Sequence, residues 1–179
     1  MNRITAYIRQ SLQDIYPPEE VKALSMLICC DMLGVDALDI YMGKDIILSA
    51  CKQRELENII FRLQKNEPIQ YIRGYAEFCG RNFRVAPGVL IPRPETAELV
   101  DLIVKENPDA RRLLDIGTGS GCIAISLDKN LPDAKVDAWD ISEEALAIAR
   151  KNNEELDAQV TFRRQDVFLL TEYRGHLTI

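Results

Sequence analysis

The nine residues Leu113-Leu114-Asp115-Ile116-Gly117-Thr118-Gly119-Ser120-Gly121 decide how this chain folds. Two leucines and an isoleucine around one aspartate read as a short strand. Three glycines at alternate positions then break it, and the apolar run beginning at Cys122 reads as a helix. Glycine lets the backbone turn sharply and lets a ligand come close to it. The first turn of the helix that follows offers unpaired N–H groups. Working outward, strands are expected over 112–116, 135–140 and 159–163, and helices over 120–129 and 143–153. This β-α-β-α-β alternation with short connections is the pattern of a parallel sheet with helices on both faces. Asp140 falls at the end of the second strand, nineteen residues after Gly121, where a carboxylate can accept both hydroxyls of a ribose.

The loop fits an adenosine-containing cofactor, and two details narrow the choice. A dinucleotide fingerprint G-x-G-x-x-G asks for glycine or alanine at position 122, where this chain has Cys122. Asp115 stands two residues before the first glycine, and a carboxylate there suits a cation better than a pyrophosphate. S-adenosylmethionine carries an ammonium and a sulfonium, so these residues favour it over a nicotinamide dinucleotide. A glycine loop without any ligand is the remaining reading. Asp166-Val167-Phe168 follows the third strand in a loop facing the same pocket. Asp166 is placed to accept a hydrogen bond from an adenine amino group, and Phe168 to stack on the ring. Ordinary core packing is the alternative for Phe168.

Upstream, the first 75 residues read as helices. Ile4, Ile8, Leu12 and Ile15 recur at helical spacing. Pro17-Pro18-Glu19-Glu20 looks like a stop followed by a new start, since proline and acidic residues suit a first helical turn. That second helix should run to Leu33, with Gly34 as its stop. A short helix is expected over 36–41, and a long one over 49–64 burying Leu56, Ile59, Ile60 and Leu63. Residues 75–85 then alternate aromatic and β-branched side chains around Gly80-Arg81-Asn82, which predicts a β-hairpin with its turn there. Ile91-Pro92-Arg93-Pro94-Glu95-Thr96 is a rigid extended stretch. A helix over 95–105 should follow, with Leu99, Leu102 and Ile103 on one face.

Composition bounds the function. At 179 residues, 47% apolar and 28% charged, the chain reads as one globular domain or two small ones. No apolar run in the first half is long enough to span a bilayer, and the N-terminus lacks a signal-peptide layout, so a cytoplasmic protein without a membrane partner is expected. A net charge of −6 argues against direct nucleic-acid binding. The first 75 residues carry nine basic and ten acidic side chains, net −1, leaving net −5 on the remainder; the near-neutral helical part is the better docking surface. The single histidine, His176, speaks against serine–histidine catalysis and multi-histidine metal sites. The five cysteines have no C-x-x-C spacing, as expected of reduced, buried thiols with no metal role.

Several motifs in order resemble one family. Glu67-Pro68-Ile69-Gln70-Tyr71-Ile72-Arg73-Gly74, then Glu77-Phe78, then Ile91-Pro92-Arg93-Pro94-Glu95-Thr96, then the glycine loop are similar to the HemK/PrmC family, the glutamine N5-methyltransferases of peptide-chain release factors. The resemblance implies an α/β protein with three parts. These are a small N-terminal helical bundle over 1–74 that docks the release factor, a β-hairpin linker over 75–90, and a Rossmann-like class I S-adenosylmethionine-dependent methyltransferase domain from 91. The implied reaction moves the methyl group of S-adenosyl-L-methionine to the side-chain amide of the glutamine in a Gly-Gly-Gln loop, leaving S-adenosyl-L-homocysteine. The implied cofactor contacts are Asp115, Gly117, Thr118, Gly119, Ser120, Gly121, Asp140, Asp166 and Phe168, with Arg93 and Glu95 on the substrate side and no metal.

The family's Asn-Pro-Pro-Tyr motif, which would aim the amide lone pair at the methyl carbon, does not occur in this sequence, so no catalytic residue is assigned. The methyltransferase domain is therefore expected to be incomplete, the strand over 112–116 to be left at a sheet edge, and this chain to be inactive by itself. A natural truncation, a shifted reading frame and a trimmed chain would read alike. Two other functions stay open: an amino-group methyltransferase acting on nucleic-acid bases, and a non-catalytic binding module.

Overall fold

The computed structural model describes residues 2–169. Residues from 170 on, with His176 and the stretch 174–179 where an apolar strand leading into an Asn-Pro-Pro-Tyr motif is expected, lie outside the described residues. The chain divides into two units, Met1–Arg73 and Gly74–Ile179.

The first unit is helical. Helix α1 (Arg3–Leu12) starts on Asn2, whose side-chain oxygen accepts from the N–H groups of Ile4 and Thr5, a cap that satisfies two otherwise orphaned donors. It buries Ile4, Ile8 and Leu12, while Ile15 lies beyond its end and is 41% exposed. Helix α2 (Pro18–Met26) has the expected proline-first, acidic start. It does not continue as a regular α-helix to Leu33. The backbone widens into a π-turn over Leu27–Met32, in which Leu33 N–H donates to the carbonyl of Ile28 at 2.9 Å. The extra residue per turn lets the adjacent Ile28 and Cys29 both face the core. Gly34 then ends the run with φ +65°. Helices α3 (Ala37–Tyr41), α4 (Ala50–Gln64) and α5 (Ile69–Arg73) complete the unit. The first two are capped by Asp36 and Ser49, whereas α5 falls in a stretch with no expected element. Leu56, Ile59, Ile60 and Leu63 of α4 are buried as their spacing requires, and Tyr16 Oη donates to the Leu63 carbonyl at 2.8 Å.

The second unit opens with a hairpin of β1 (Tyr75–Phe78) and β2 (Arg81–Arg84). The turn is Cys79-Gly80, not Gly80-Arg81-Asn82. Both turn residues have positive φ, 47° and 69°, the two-residue loop whose twist matches that of the strands. Phe78 and Phe83 are buried and meet edge-to-face at 6.0 Å, so the hairpin forms part of this unit's core. Helix α6 (Pro94–Glu106) faces the core through Ala97, Val100, Ile103 and Val104. Leu99 and Leu102, expected on one face with Ile103, are 46% and 49% exposed, because the buried 97-100-103-104 stripe turns them away from the core that Ile103 meets.

The parallel sheet has the order β3-β4-β5, with β3 (Arg112–Ile116), β4 (Lys135–Asp140) and β5 (Thr161–Arg164). Helix α7 (Cys122–Asn130) joins the first pair and α8 (Glu143–Glu155) the second. The sequence pattern suggested helices on both faces. Two right-handed crossovers advancing in the same direction put their helices on one face, and α7 and α8 touch each other accordingly. Among the described residues β3 pairs with β4 alone. Buried Ala124, Ile125, Val136, Ala138 and Val160 hold the helices to the sheet. The fold is α/β, a helical unit followed by a Rossmann-like parallel sheet whose described part has three strands. No helix among the described residues is long and apolar enough to cross a membrane.

Candidate functional site

The loop between β3 and α7 is held by the end of β4. Gly117 N–H and Thr118 N–H both donate to the carbonyl of Trp139, at 2.8 and 3.0 Å. This draws the glycines over the carboxyl end of the sheet, where ligands of open α/β sheets bind. Gly121 N–H donates back to the Thr118 carbonyl at 2.8 Å, and Gly121 is itself the left-handed N-cap of α7, φ +80°. Ser120 and Gly121 therefore belong to the loop, not to the helix expected from 120.

Two carboxylates converge on this loop. Asp115 Oδ2 accepts from Thr118 Oγ1 at 2.7 Å. Asp140 Oδ2 accepts from Gly119 N–H and its Oδ1 from Ser142 N–H, both at 2.9 Å. Burial, and to a smaller extent the negative charge of Asp140, push the Asp115 carboxyl above the usual carboxylate range, against the opposing hydrogen bonds from Thr118 and the Ala124 backbone. A positively charged ligand group beside Asp115 would relieve that cost, whereas a pyrophosphate would add to it. Asp140 has room for more bonds: a carboxylate offers about four lone-pair sites, and two of them are taken by backbone N–H groups. A Cβ at Gly117 would meet nothing within 4 Å, so the backbone there stands open to a ligand. The residues present thus fit a cationic, ribose-bearing group such as S-adenosylmethionine.

The remaining expected residues fall at the same end of the sheet or beside it. Gln165 N–H donates to the Asp140 carbonyl at 2.9 Å, which seats Asp166 next to the end of β4. Asp166 Oδ1 accepts from Phe168 N–H at 2.9 Å, closing a tight turn. Phe168 is 94% exposed, so core packing, the alternative for this ring, does not occur. Arg93 and Glu95 are exposed at the start of α6, and no hydrogen bond or ion pair among the described residues joins either to the loop. Sequence reasoning passed over two contributors. The Trp139 carbonyl anchors the loop through its backbone, which leaves no side-chain signature. Ile141, next to Asp140, is 60% exposed, an apolar side chain at the rim that only the strand's end point reveals.

A cavity of about 690 Å³ lies at the opposite end of the sheet, where β3, β4 and β5 begin. Arg112 reaches Asp137 there at 3.6 Å, and Lys129 Nζ donates to the backbone carbonyl of Asp157 at 2.6 Å. The converging carboxylates and open glycine backbone mark the loop end as the better candidate. Among the described residues, no three His, Cys, Asp or Glu side chains cluster to hold a metal.

Comparison with known proteins bears on both units. The PrmC N-terminal domain model matches residues 4–74, and the methyltransferase small domain model matches residues 95–175. A release factor glutamine methyltransferase of Flavobacterium psychrophilum is 40% identical over 163 residues, which is 88% of this chain and 57% of that protein. One from Koribacter versatilis is 49% identical over 142 residues, 78% of this chain and 51% of that protein. The chain spans about half the length of the curated relatives it matches. The ordered motifs, a glycine loop that brings Asp115 and Asp140 together, and matched models over both units make this chain similar, unit by unit, to the release factor glutamine methyltransferases.

Proposed function

We propose that this chain forms the docking and cofactor-binding part of a methyltransferase that modifies the side-chain amide nitrogen of the glutamine in the Gly-Gly-Gln loop of peptide-chain release factors. The observation that carries the reading is the convergence of Asp115 and Asp140 on an open glycine loop. It is supported by relatives 40% and 49% identical that are named release factor glutamine methyltransferases. When bound, S-adenosyl-L-methionine supplies an electrophilic methyl group on a sulfonium and leaves as S-adenosyl-L-homocysteine.

Each residue then has a task. Asp115 takes the ammonium of the amino-acid end. Gly117, Thr118, Gly119, Ser120 and Gly121 wrap the ligand closely with backbone. Asp140 accepts the ribose hydroxyls through the lone pairs its two N–H partners leave. Asp166 accepts from the adenine amino group, and Phe168 lies against the ring. Arg93 and Glu95, exposed before and within the first turn of α6, face the protein substrate. Residues 1–74 dock the release factor, 75–90 form the hairpin link, and 91–179 belong to the methyltransferase domain. Release factors place this activity in the cytoplasm, and neither nucleic acid nor membrane takes part in it.

The test has a binding arm and a transfer arm. S-adenosyl-L-homocysteine titrated into the 179-residue protein should release or absorb heat with a defined stoichiometry, and NADH should not. In the transfer arm, this form and any longer form its gene encodes are incubated with a release factor and methyl-labelled S-adenosyl-L-methionine. Label on the Gly-Gly-Gln glutamine, located by mass spectrometry, is the expected result for a longer form that carries the Asn-Pro-Pro-Tyr motif, and no label is expected from the 179-residue form. Label entering DNA while the release factor stays unmodified would overturn the reading.

A further inference from the structure

Among the described residues, two fully buried polar side chains, Ser126 and Asn152, have no task in this scheme, and of the two it is Asn152 that hydrogen-bonds to the glycine loop. Asn152 on α8 is 0% exposed, and its carboxamide is spent on backbone alone. Its Oδ1 accepts from Arg84 N–H at 2.7 Å, and its Nδ2 donates to the Arg84 carbonyl at 3.1 Å and to the Ser120 carbonyl at 2.8 Å. A buried amide is costly unless its polar atoms are bonded, and here both Nδ2 hydrogens and one oxygen lone pair are used. The three partners belong to two segments far apart in sequence: the last residue of β2 and the glycine loop.

The Ser120 bond matters most for the loop. It fixes the plane of the Ser120–Gly121 peptide, whose N–H closes the turn onto Thr118 and whose left-handed Gly121 starts α7. The Arg84–Glu155 ion pair lies one turn further along α8, at 2.6 Å, with side chains 56% and 48% exposed. An ion pair that open to water contributes little, so the tie between hairpin and loop runs through the amide.

We propose that Asn152 is a positioning residue that holds the glycine loop in its ligand-ready shape and couples it to the hairpin strand β2. The cofactor part of this inference rests on the reading given under Proposed function; the loop part does not. Loosening β2 and loosening the loop are then one event, so displacement of the hairpin would be felt as weaker cofactor binding.

Hydrogen exchange on the 179-residue protein separates this role from a merely structural one. In Asn152→Ala, peptides covering 117–123 should exchange about tenfold faster, while β4 amides keep wild-type protection. Peptides covering 81–85 should loosen with the loop. Affinity for S-adenosyl-L-homocysteine should fall about tenfold in the same variant. Equal acceleration in the loop and in β4 would mean general destabilisation and would overturn the proposal, as would unchanged loop exchange in a folded variant. Asn152→Ser, which keeps a hydroxyl donor in less volume, is measured alongside and read by the same criteria should Asn152→Ala not fold. If the wild-type protein binds no S-adenosyl-L-homocysteine, the cofactor reading fails, and the exchange arm still decides the role of Asn152.

Discussion

Alanine at Gly121 and alanine at Gly117 are the same chemical change in nearly the same backbone conformation, φ +80° and +77°, yet the structure assigns them different outcomes. Holding alanine in the left-handed region costs about 1–2 kcal/mol at either site. At Gly121 the new methyl would also lie 3.1 Å from Ile125 Cδ1 and 3.2 and 3.5 Å from Ala149 Cβ and Cα. The tip of Ile125 can rotate away. Ala149 has no torsion to give, so α8 would have to retreat by a few tenths of an ångström. Overpacking of this kind costs about 1–3 kcal/mol, which brings Gly121→Ala to about 2–5 kcal/mol. At Gly117 nothing lies within 4 Å, and only the conformational cost remains. The one tryptophan, Trp139, is buried in β4 beside the loop, so its fluorescence reports this unit. At about 4–8 °C per kcal/mol for a domain of this size, Gly121→Ala should lower the midpoint by at least about 8 °C and Gly117→Ala by clearly less. Affinity should show the reverse pattern for its cause. Gly117→Ala stays folded but loses S-adenosyl-L-homocysteine binding, because the methyl occupies the open approach to the backbone. Equal midpoint losses, or a larger loss at Gly117, would refute the assignment of Gly121 to packing and Gly117 to the ligand.

Asp115→Asn should raise stability at pH 7 while weakening cofactor affinity. The folded chain holds this carboxyl above its ordinary value. Stability therefore declines as pH rises from the unfolded toward the folded pKa, and the ionised side chain is a cost above both. The midpoint advantage of the variant should shrink as the pH is lowered below about 4; an asparagine variant less stable than wild type at pH 7 would contradict this. Asp140→Ala strips the Gly119 and Ser142 N–H groups of their acceptor and should cost at least tenfold in S-adenosyl-L-homocysteine affinity by calorimetry, with unchanged affinity removing Asp140 from the site. Arg84→Ala deletes an exposed ion pair worth about 0.5 kcal/mol and leaves both backbone bonds to Asn152 possible, so its thermal midpoint should stay within about 4 °C of wild type.

Local chemistry made much of this protein legible from sequence. The long helix α4 follows from apolar residues at helical spacing behind a serine cap, and β3 and β4 from short apolar runs bounded by turn residues. Alternating glycines, Asp115 before them and Asp140 after them marked the candidate site, because each residue type answers to a feature of the ligand. The misreadings share a cause. The π-turn after α2, the Cys79-Gly80 turn, and the outward Leu99 and Leu102 depend on which residues a neighbouring element leaves room for, and periodicity carries no record of the neighbour. Tertiary structure alone decided that α7 and α8 share a face, that the Trp139 carbonyl holds the loop, and that Asn152 joins the loop to β2. The last two of these links depend on backbone N–H and carbonyl groups meeting a partner far away in sequence. Any residue carries such groups, so only the fold selects which of them meet.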